Sequence, residues 1–168
     1  VNPSPYDAEE LKREALQVAG GADVVLFVGG LNKSHQQDCE DGDRTTYALP
    51  FGQEELIREL AAVNPNLVVV LISGNAVETQ WSHLPRAIVQ GWYGGSEAGH
   101  ALVDVLSGAV NPSGKLPFSF YARLEDCGAH AFDASCYPGV DDECYYKEDI
   151  LVGYRWLHAK GIAPAYPF

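Results

Sequence analysis

The sequence predicts an α/β fold, an open and mostly parallel sheet covered by helices, and three observations predict it. Two short, continuous apolar runs, Val24–Val28 and Leu67–Ile72, have the form of strands buried on both faces rather than the alternation of half-solvated ones. Segments with apolar residues at helical spacing separate the runs. The resulting order, α-β-loop-α-β-loop-β-α, belongs to parallel sheets with helices on their faces. A polar, aperiodic stretch of 20 residues, Leu31–Pro50, follows the first run, where a short connection would suffice.

Each element has a local cause. Asp7 is a natural N-cap for a helix over 7–19, with Ala8, Leu11, Ala15 and Val18 at helical spacing and Gly20-Gly21 as its stop. The first strand, 24–28, runs into Gly29-Gly30. Gln53–Val63 reads as the second helix, with Leu56, Ile57, Leu60 and Val63 on one side and Asn64-Pro65 closing it. Residues 67–72 and 87–92 are the second and third strands. Ser96 is the expected N-cap of a helix over 96–107 that carries Ala101, Leu102, Val105 and Leu106 to Gly108. After Asn111-Pro112-Ser113-Gly114 the texture changes. A short strand near Leu116–Phe120, irregular chain rich in Cys, Gly and Tyr up to Tyr146, and strand character over Ile150–Trp156 complete the expectation. At 168 residues, one domain spanning 1–168 is the natural count.

Composition narrows the partners. The chain carries 23 acidic and 11 basic side chains, a net charge of -12, which repels nucleic-acid phosphates and anionic lipid headgroups; neither nucleic acid nor a membrane surface is an expected partner. No apolar run approaches the roughly 20 residues of a membrane span. The opening Val1-Asn2-Pro3-Ser4-Pro5 lacks an initiator Met and the features of a signal peptide, and reads as a cut. Cys39, Cys127, Cys136 and Cys144 fit two disulfides in an oxidising compartment or four thiols in a reducing one. Their closest pair is separated by seven residues, unlike the tight pairs of zinc sites, so no metal and no cofactor is expected.

Chemistry is sought first in the long loop, because ligands of open α/β sheets bind at the carboxyl ends of strands. It holds Asp38, Glu40, Asp41 and Asp43 beside Arg44. One reading is a solvated acidic loop or a calcium site, although Asp38-Cys39-Glu40-Asp41-Gly42-Asp43 lacks the alternating ligand pattern of an EF-hand. The other is a general acid, since a partly desolvated carboxyl crowded by other carboxylates holds its proton to higher pH. Gly94-Gly95-Ser96-Glu97-Ala98-Gly99 follows a strand and opens a helix. It has Ala98 where a nucleophile elbow needs Gly and fits neither phosphate-binding glycine pattern, so a tight strand-to-helix turn is the simpler account. The five histidines are dispersed. Trp81, Trp92 and Tyr93, near strand ends, are either core or platforms for a sugar ring.

Taken together, several stretches resemble glycoside hydrolase family 3, the β-glucosidase and β-xylosidase family, in its C-terminal α/β sandwich domain. They are Ala22–Val25 with Gly29–Asn32, Glu40–Arg44 with Leu49-Pro50 and Gln53, Leu67–Ser73, Trp92–Gly99, Asn111–Pro117, and Tyr146–Ile150 with Gly153–Arg155. The resemblance implies that Glu40, in Glu40-Asp41-Gly42-Asp43-Arg44, is the general acid/base. It further implies Asp43, Arg44 and Trp92 as substrate-binding residues, and an aspartate nucleophile on a separate N-terminal barrel domain of the same enzyme. The expected substrate is an oligosaccharide or glycoside with a β-linked glucose or xylose, cleaved with retention, and the expected location is secreted or periplasmic. A non-catalytic carbohydrate-binding module of the same fold, and an unrelated α/β hydrolase or nucleotide-binding domain, stand as alternatives.

Overall fold

The computed structural model describes residues 7–34, 36–40, 42 and 44–168. The described residues group into two compact units: those up to 75 with 80–103, and 76–79 with 104–168. No helix among the described residues is long and apolar enough to cross a membrane.

The first unit is built on a three-stranded parallel sheet in the order β1 (Val25–Gly30), β2 (Leu67–Ile72), β3 (Ala87–Gln90). Helix α1 (Ala8–Gly20) precedes β1, and α2 (Gln53–Val63) links β1 to β2. The central strand forms the core: Leu67, Val69, Val70 and Leu71 are buried, together with Ile57 and Leu60 of α2, Leu31 and Leu49 of the long loop, and Trp81. As expected, the Asp7 carboxylate accepts hydrogen bonds from the N–H groups of Glu9 and Glu10. Asn64 closes α2, and its side-chain amide donates to the carbonyls of Ala19 (2.8 Å) and Ala22 (2.7 Å), tying the end of α1 to the end of α2.

Three expectations for this unit are corrected. Strand β1 is not buried on both faces, for Leu26 and Val28 keep 53% and 62% of their surface exposed while Val25 and Phe27 are half-buried. Leu26 and Val28 alternate with Val25 and Phe27 and so share one face of the strand, which is open to solvent, and β1 also lies at the edge of the three-strand order. The third strand ends at Gln90 rather than at residue 92. Gly91 N–H still donates to Leu71 O (2.7 Å), but Trp92 takes a φ of 53°, which turns the chain out of the strand. Ser96 does not cap a helix; it sits in a 3-10 turn, Gly95–Glu97, that leads into α3 (Ala98–Leu106).

The second unit is largely irregular, as its composition suggested, and packs around Phe120, Cys136, Trp156 and Leu157. The expected strand near Leu116–Phe120 reduces to one antiparallel bridge, Phe120 to Tyr166, with Phe120 N–H donating to Tyr166 O at 2.8 Å. The expected strand over Ile150–Trp156 is instead a loop followed by helix α4 (Tyr154–Lys160). Asp149 (φ 57°) and Gly153 (φ 62°) break the extended path, and Gly161 in the left-handed region ends the helix by donating to the carbonyls of Leu157 and His158. The four cysteines are unbridged.

Candidate functional site

In a parallel sheet all carboxyl ends point one way, so the segments following β1, β2 and β3 emerge on the same edge. Here those segments are the long loop Leu31–Pro50, Ser73–Asn75 and Gly91–Tyr93. The first is anchored at both ends. At its start, Leu31 N–H donates to Ile72 O (2.8 Å), extending the register of β1 against β2. At its far end, Gln53 in the first turn of α2 reaches back, accepting from Gly30 N–H (2.7 Å) and donating to the carbonyls of Gly30 (2.8 Å) and Pro50 (3.1 Å).

Between these anchors the loop folds on itself. Asp38 N–H donates to Asn32 O (3.0 Å), Gln36 N–H to Gly42 O (3.1 Å), and the buried Gln37 accepts from Asn32 N–H (3.2 Å). The Asp38 carboxylate then gathers groups from the other two segments. Its Oδ2 accepts from Gly74 N–H (2.6 Å) and from the Tyr93 hydroxyl (2.8 Å), and its Oδ1 from the Asn75 side-chain amide (2.7 Å). Arg44 completes the cluster by donating from Nη2 to Asn75 Oδ1 at 2.5 Å. One carboxylate thereby joins the loops after all three strands.

The electrostatics follow from this geometry. Burial pushes the Tyr93 phenol up to about 12, helped by its hydrogen bond to Asp38 and by the Asp38 charge, so this hydroxyl stays a donor at all ordinary pH. Burial also pulls the Arg44 guanidinium below its ordinary value, against the opposing pull of Asp38, Tyr47 and Tyr93; it remains a cation. Glu40, two residues beyond Asp38 in the sequence, is exposed. Among the described residues no group of three or more His, Cys, Asp and Glu is placed to hold a metal ion.

The structure thus brings Glu40 and Arg44 to the same loop at the carboxyl edge and sets Trp92 at the end of the third strand; Asp43 lies outside the described residues, as does Asp41. Of the other aromatics considered as sugar platforms, Trp81 is fully buried and offers no face, whereas Tyr93 is 48% exposed. Sequence reasoning missed Asn75 and Gly74 and did not single out Asp38 among the loop carboxylates. The available signal was slight: Ser73-Gly74-Asn75 ends a buried apolar run, the place where such sheets bind ligands.

Comparison with known proteins gives a consistent picture. The model of the glycosyl hydrolase family 3 C-terminal domain matches residues 6–154. A beta-glucosidase of Bacteroides ovatus is 57% identical over 160 residues, 95% of this chain and 21% of that protein. Thermostable beta-glucosidase B of Acetivibrio thermocellus is 41% identical over 160 residues, 95% of this chain and 20% of that protein. The chain therefore spans about a fifth of the length of these curated relatives. Among solved structures, a beta-glucosidase of Kluyveromyces marxianus superposes with a TM-score of 0.90 at 37% identity, covering 98% of this chain and 20% of that one. DesR, a beta-glucosidase of Streptomyces venezuelae in complex with D-glucose, gives 0.90 at 36% identity, with 98% and 20% covered.

Proposed function

Because the chain belongs to glycosyl hydrolase family 3, as its C-terminal domain, we propose that it is the acid/base-bearing part of a retaining β-glucosidase, with Glu40 as the proton donor. The observation that supports this reading is that Glu40 is exposed on a long loop, two residues beyond Asp38, whose carboxylate is hydrogen-bonded to groups at the carboxyl edge of a parallel sheet. The beta-glucosidase relatives support a β-linked glucoside as substrate, and DesR carries D-glucose in its solved complex.

In the first step an aspartate on another domain of the same polypeptide attacks the anomeric carbon as the Glu40 carboxyl gives its proton to the departing glycosidic oxygen. The attacking bond forms as the glycosidic bond breaks, leaving a glycosyl ester and a Glu40 carboxylate. That carboxylate next takes a proton from water, whose oxygen attacks the anomeric carbon and frees the aspartate. Retention requires the two carboxyls to lie about 5–5.5 Å apart, so the partner domain must hold its aspartate over Glu40. Asp43, Arg44 and Trp92 are assigned contacts to the sugar.

The test is Glu40→Ala in the full-length enzyme. General acid/base assistance is worth about 10² to 10⁴-fold, and the loss should fall on both steps for disaccharides and other substrates with poor leaving groups. Activated aryl glucosides need little protonation and should form the glycosyl-enzyme almost normally. Azide, which needs no general base, should then restore turnover and give a glucosyl azide. Near-normal hydrolysis of β-linked disaccharides by this variant would remove Glu40 from the role, and normal hydrolysis by an enzyme lacking this whole chain would favour a non-catalytic sugar-binding module.

A further inference from the structure

We propose that Asp38 is the positioning residue of this site, holding the loop so that Glu40 meets the glycosidic oxygen; the proposal rests on the assignment of Glu40 above. Asp38 and Glu40 lie in one closed turn, because Gln36 N–H donates to Gly42 O (3.1 Å) and the Cys39 thiol to the same carbonyl (3.4 Å). Two residues of chain reach at most about 7 Å, so whatever fixes Asp38 also confines the backbone of Glu40. Glu40 itself is exposed and owes its place to its neighbours.

The carboxylate is built for this task. It accepts from a backbone N–H, a phenol and a side-chain amide that come from two different strand ends, and hydrogen bonds to an ionised acceptor are the strong ones. The groups on the other side are themselves held. Asn75 O accepts from the Ser73 hydroxyl (2.8 Å), which in turn accepts from the Gln90 amide of β3 (3.0 Å). Tyr93 follows Trp92, whose φ of 53° lies where few residues with side chains go, and such backbone persists only where the surroundings enforce it. Gly74 leaves the needed space: a Cβ there would stand 3.0 Å from the Tyr93 ring and 3.2 Å from Asp38 Oδ2. An acid/base that must serve in two successive steps with its proton at a defined point gains from such a mount, since a misplacement of about 1 Å is enough to cost about 10²-fold.

The experiment uses the full-length enzyme and compares Asp38→Asn, Tyr93→Phe, Glu40→Ala and the double variant Asp38→Asn/Glu40→Ala. The readout is kcat/KM over aryl β-glucosides of graded leaving-group pKa and a β-linked disaccharide, with and without azide. Asp38→Asn keeps the volume but sets an NH2 against one of its three donors. It should lose about 10²-fold on the disaccharide and far less on the most activated aryl glucoside, so the leaving-group dependence steepens. In the double variant it should add little to the loss of Glu40→Ala, because a residue acting through Glu40 has nothing left to position. Tyr93→Phe, which keeps the carboxylate and removes one donor, should give a weaker form of the same pattern even if Asp38→Asn fails to fold.

Equal loss on every substrate, or losses that multiply in the double variant, would make Asp38 a structural residue and overturn the proposal. If Glu40→Ala shows azide rescue while Asp38→Asn and Tyr93→Phe behave as wild type, the proposal falls and the Glu40 assignment stands. If Asp38→Asn is rescued by azide and Glu40→Ala hydrolyses disaccharides normally, Asp38 is itself the acid/base and both readings fall.

Discussion

At Gly30 a side chain would have nowhere to go: a Cβ built there lies 2.1 Å from the carbonyl oxygen of Ile72, its partner in the β1–β2 register, and the residue's φ is 134°. That backbone region is close to glycine-only, and forcing another residue into it costs roughly 1–3 kcal/mol before the clash is counted. Gly30→Ala should therefore lower the stability of the full-length protein by at least that much and loosen the start of the loop that follows β1; a melting temperature unchanged from wild type would contradict it. Asp133 makes a different kind of prediction. The Lys147 ammonium sits 2.9 and 2.8 Å from its two oxygens and the Ser135 hydroxyl and N–H donate to it at 2.6 and 3.0 Å, which together hold its carboxyl well below the usual carboxylate range. A group depressed on folding stabilises the fold above its unfolded pKa of about 4 and loses that contribution as pH falls toward its folded value. Lys147→Ala should thus be less stable than wild type near neutrality, and the gap should shrink below about pH 4. Thermal unfolding from pH 7 to pH 2 checks this, and a gap that stays constant would mean that the pair contributes nothing.

Among the elements, the helices were the most legible. Helices α1 and α2 lie within a residue of their expected bounds, because Asp7, Gly20-Gly21 and Asn64-Pro65 are local signals whose effect needs no distant partner. Asn64 is more than a stop signal. Its buried amide satisfies two carbonyls at the end of α1, 45 and 42 residues away in sequence, so Asn64→Ala leaves both without that donor. A loss of about 1–3 kcal/mol is expected for polar groups stranded in this way, readable as a shift in the denaturation midpoint; Asn64→Asp, which keeps the shape but not the donors, should be similarly harmful. The strands were legible by position but not by environment. Leu26 and Val28 look in sequence like residues of a central strand, and only the strand order reveals that β1 is at the edge. In the second unit, apolar residues around Ile150–Trp156 suggested a strand, while Gly161 with His158 and Lys160 before it was an overlooked helix-end signal that α4 obeys.

At the scale of the whole molecule, the chain accounts for about a fifth of the length of its curated relatives and, on the proposal above, for one carboxyl of a catalytic pair. The chain by itself should accordingly fail to hydrolyse aryl β-glucosides; turnover that disappears in Glu40→Gln would show that it supplies its own nucleophile, contrary to the proposed division of labour. The sequence by itself determined the α/β class, the element order of the first unit, the family and the loop on which the chemistry is sought, because these rest on local periodicity, capping and motifs that lie contiguous in the chain. It placed Glu40 and Arg44 in that loop, but it could not show that Asp38 would meet Gly74, Asn75 and Tyr93, which lie 36, 37 and 55 residues away. Only the tertiary structure decided that, since those contacts exist because three parallel strands in one register deliver their carboxyl ends to a common edge. The same holds for the exposed face of β1 and the turned backbone at Trp92: burial and strain are properties of neighbours in space, and a linear pattern specifies them only after the sheet has been assembled.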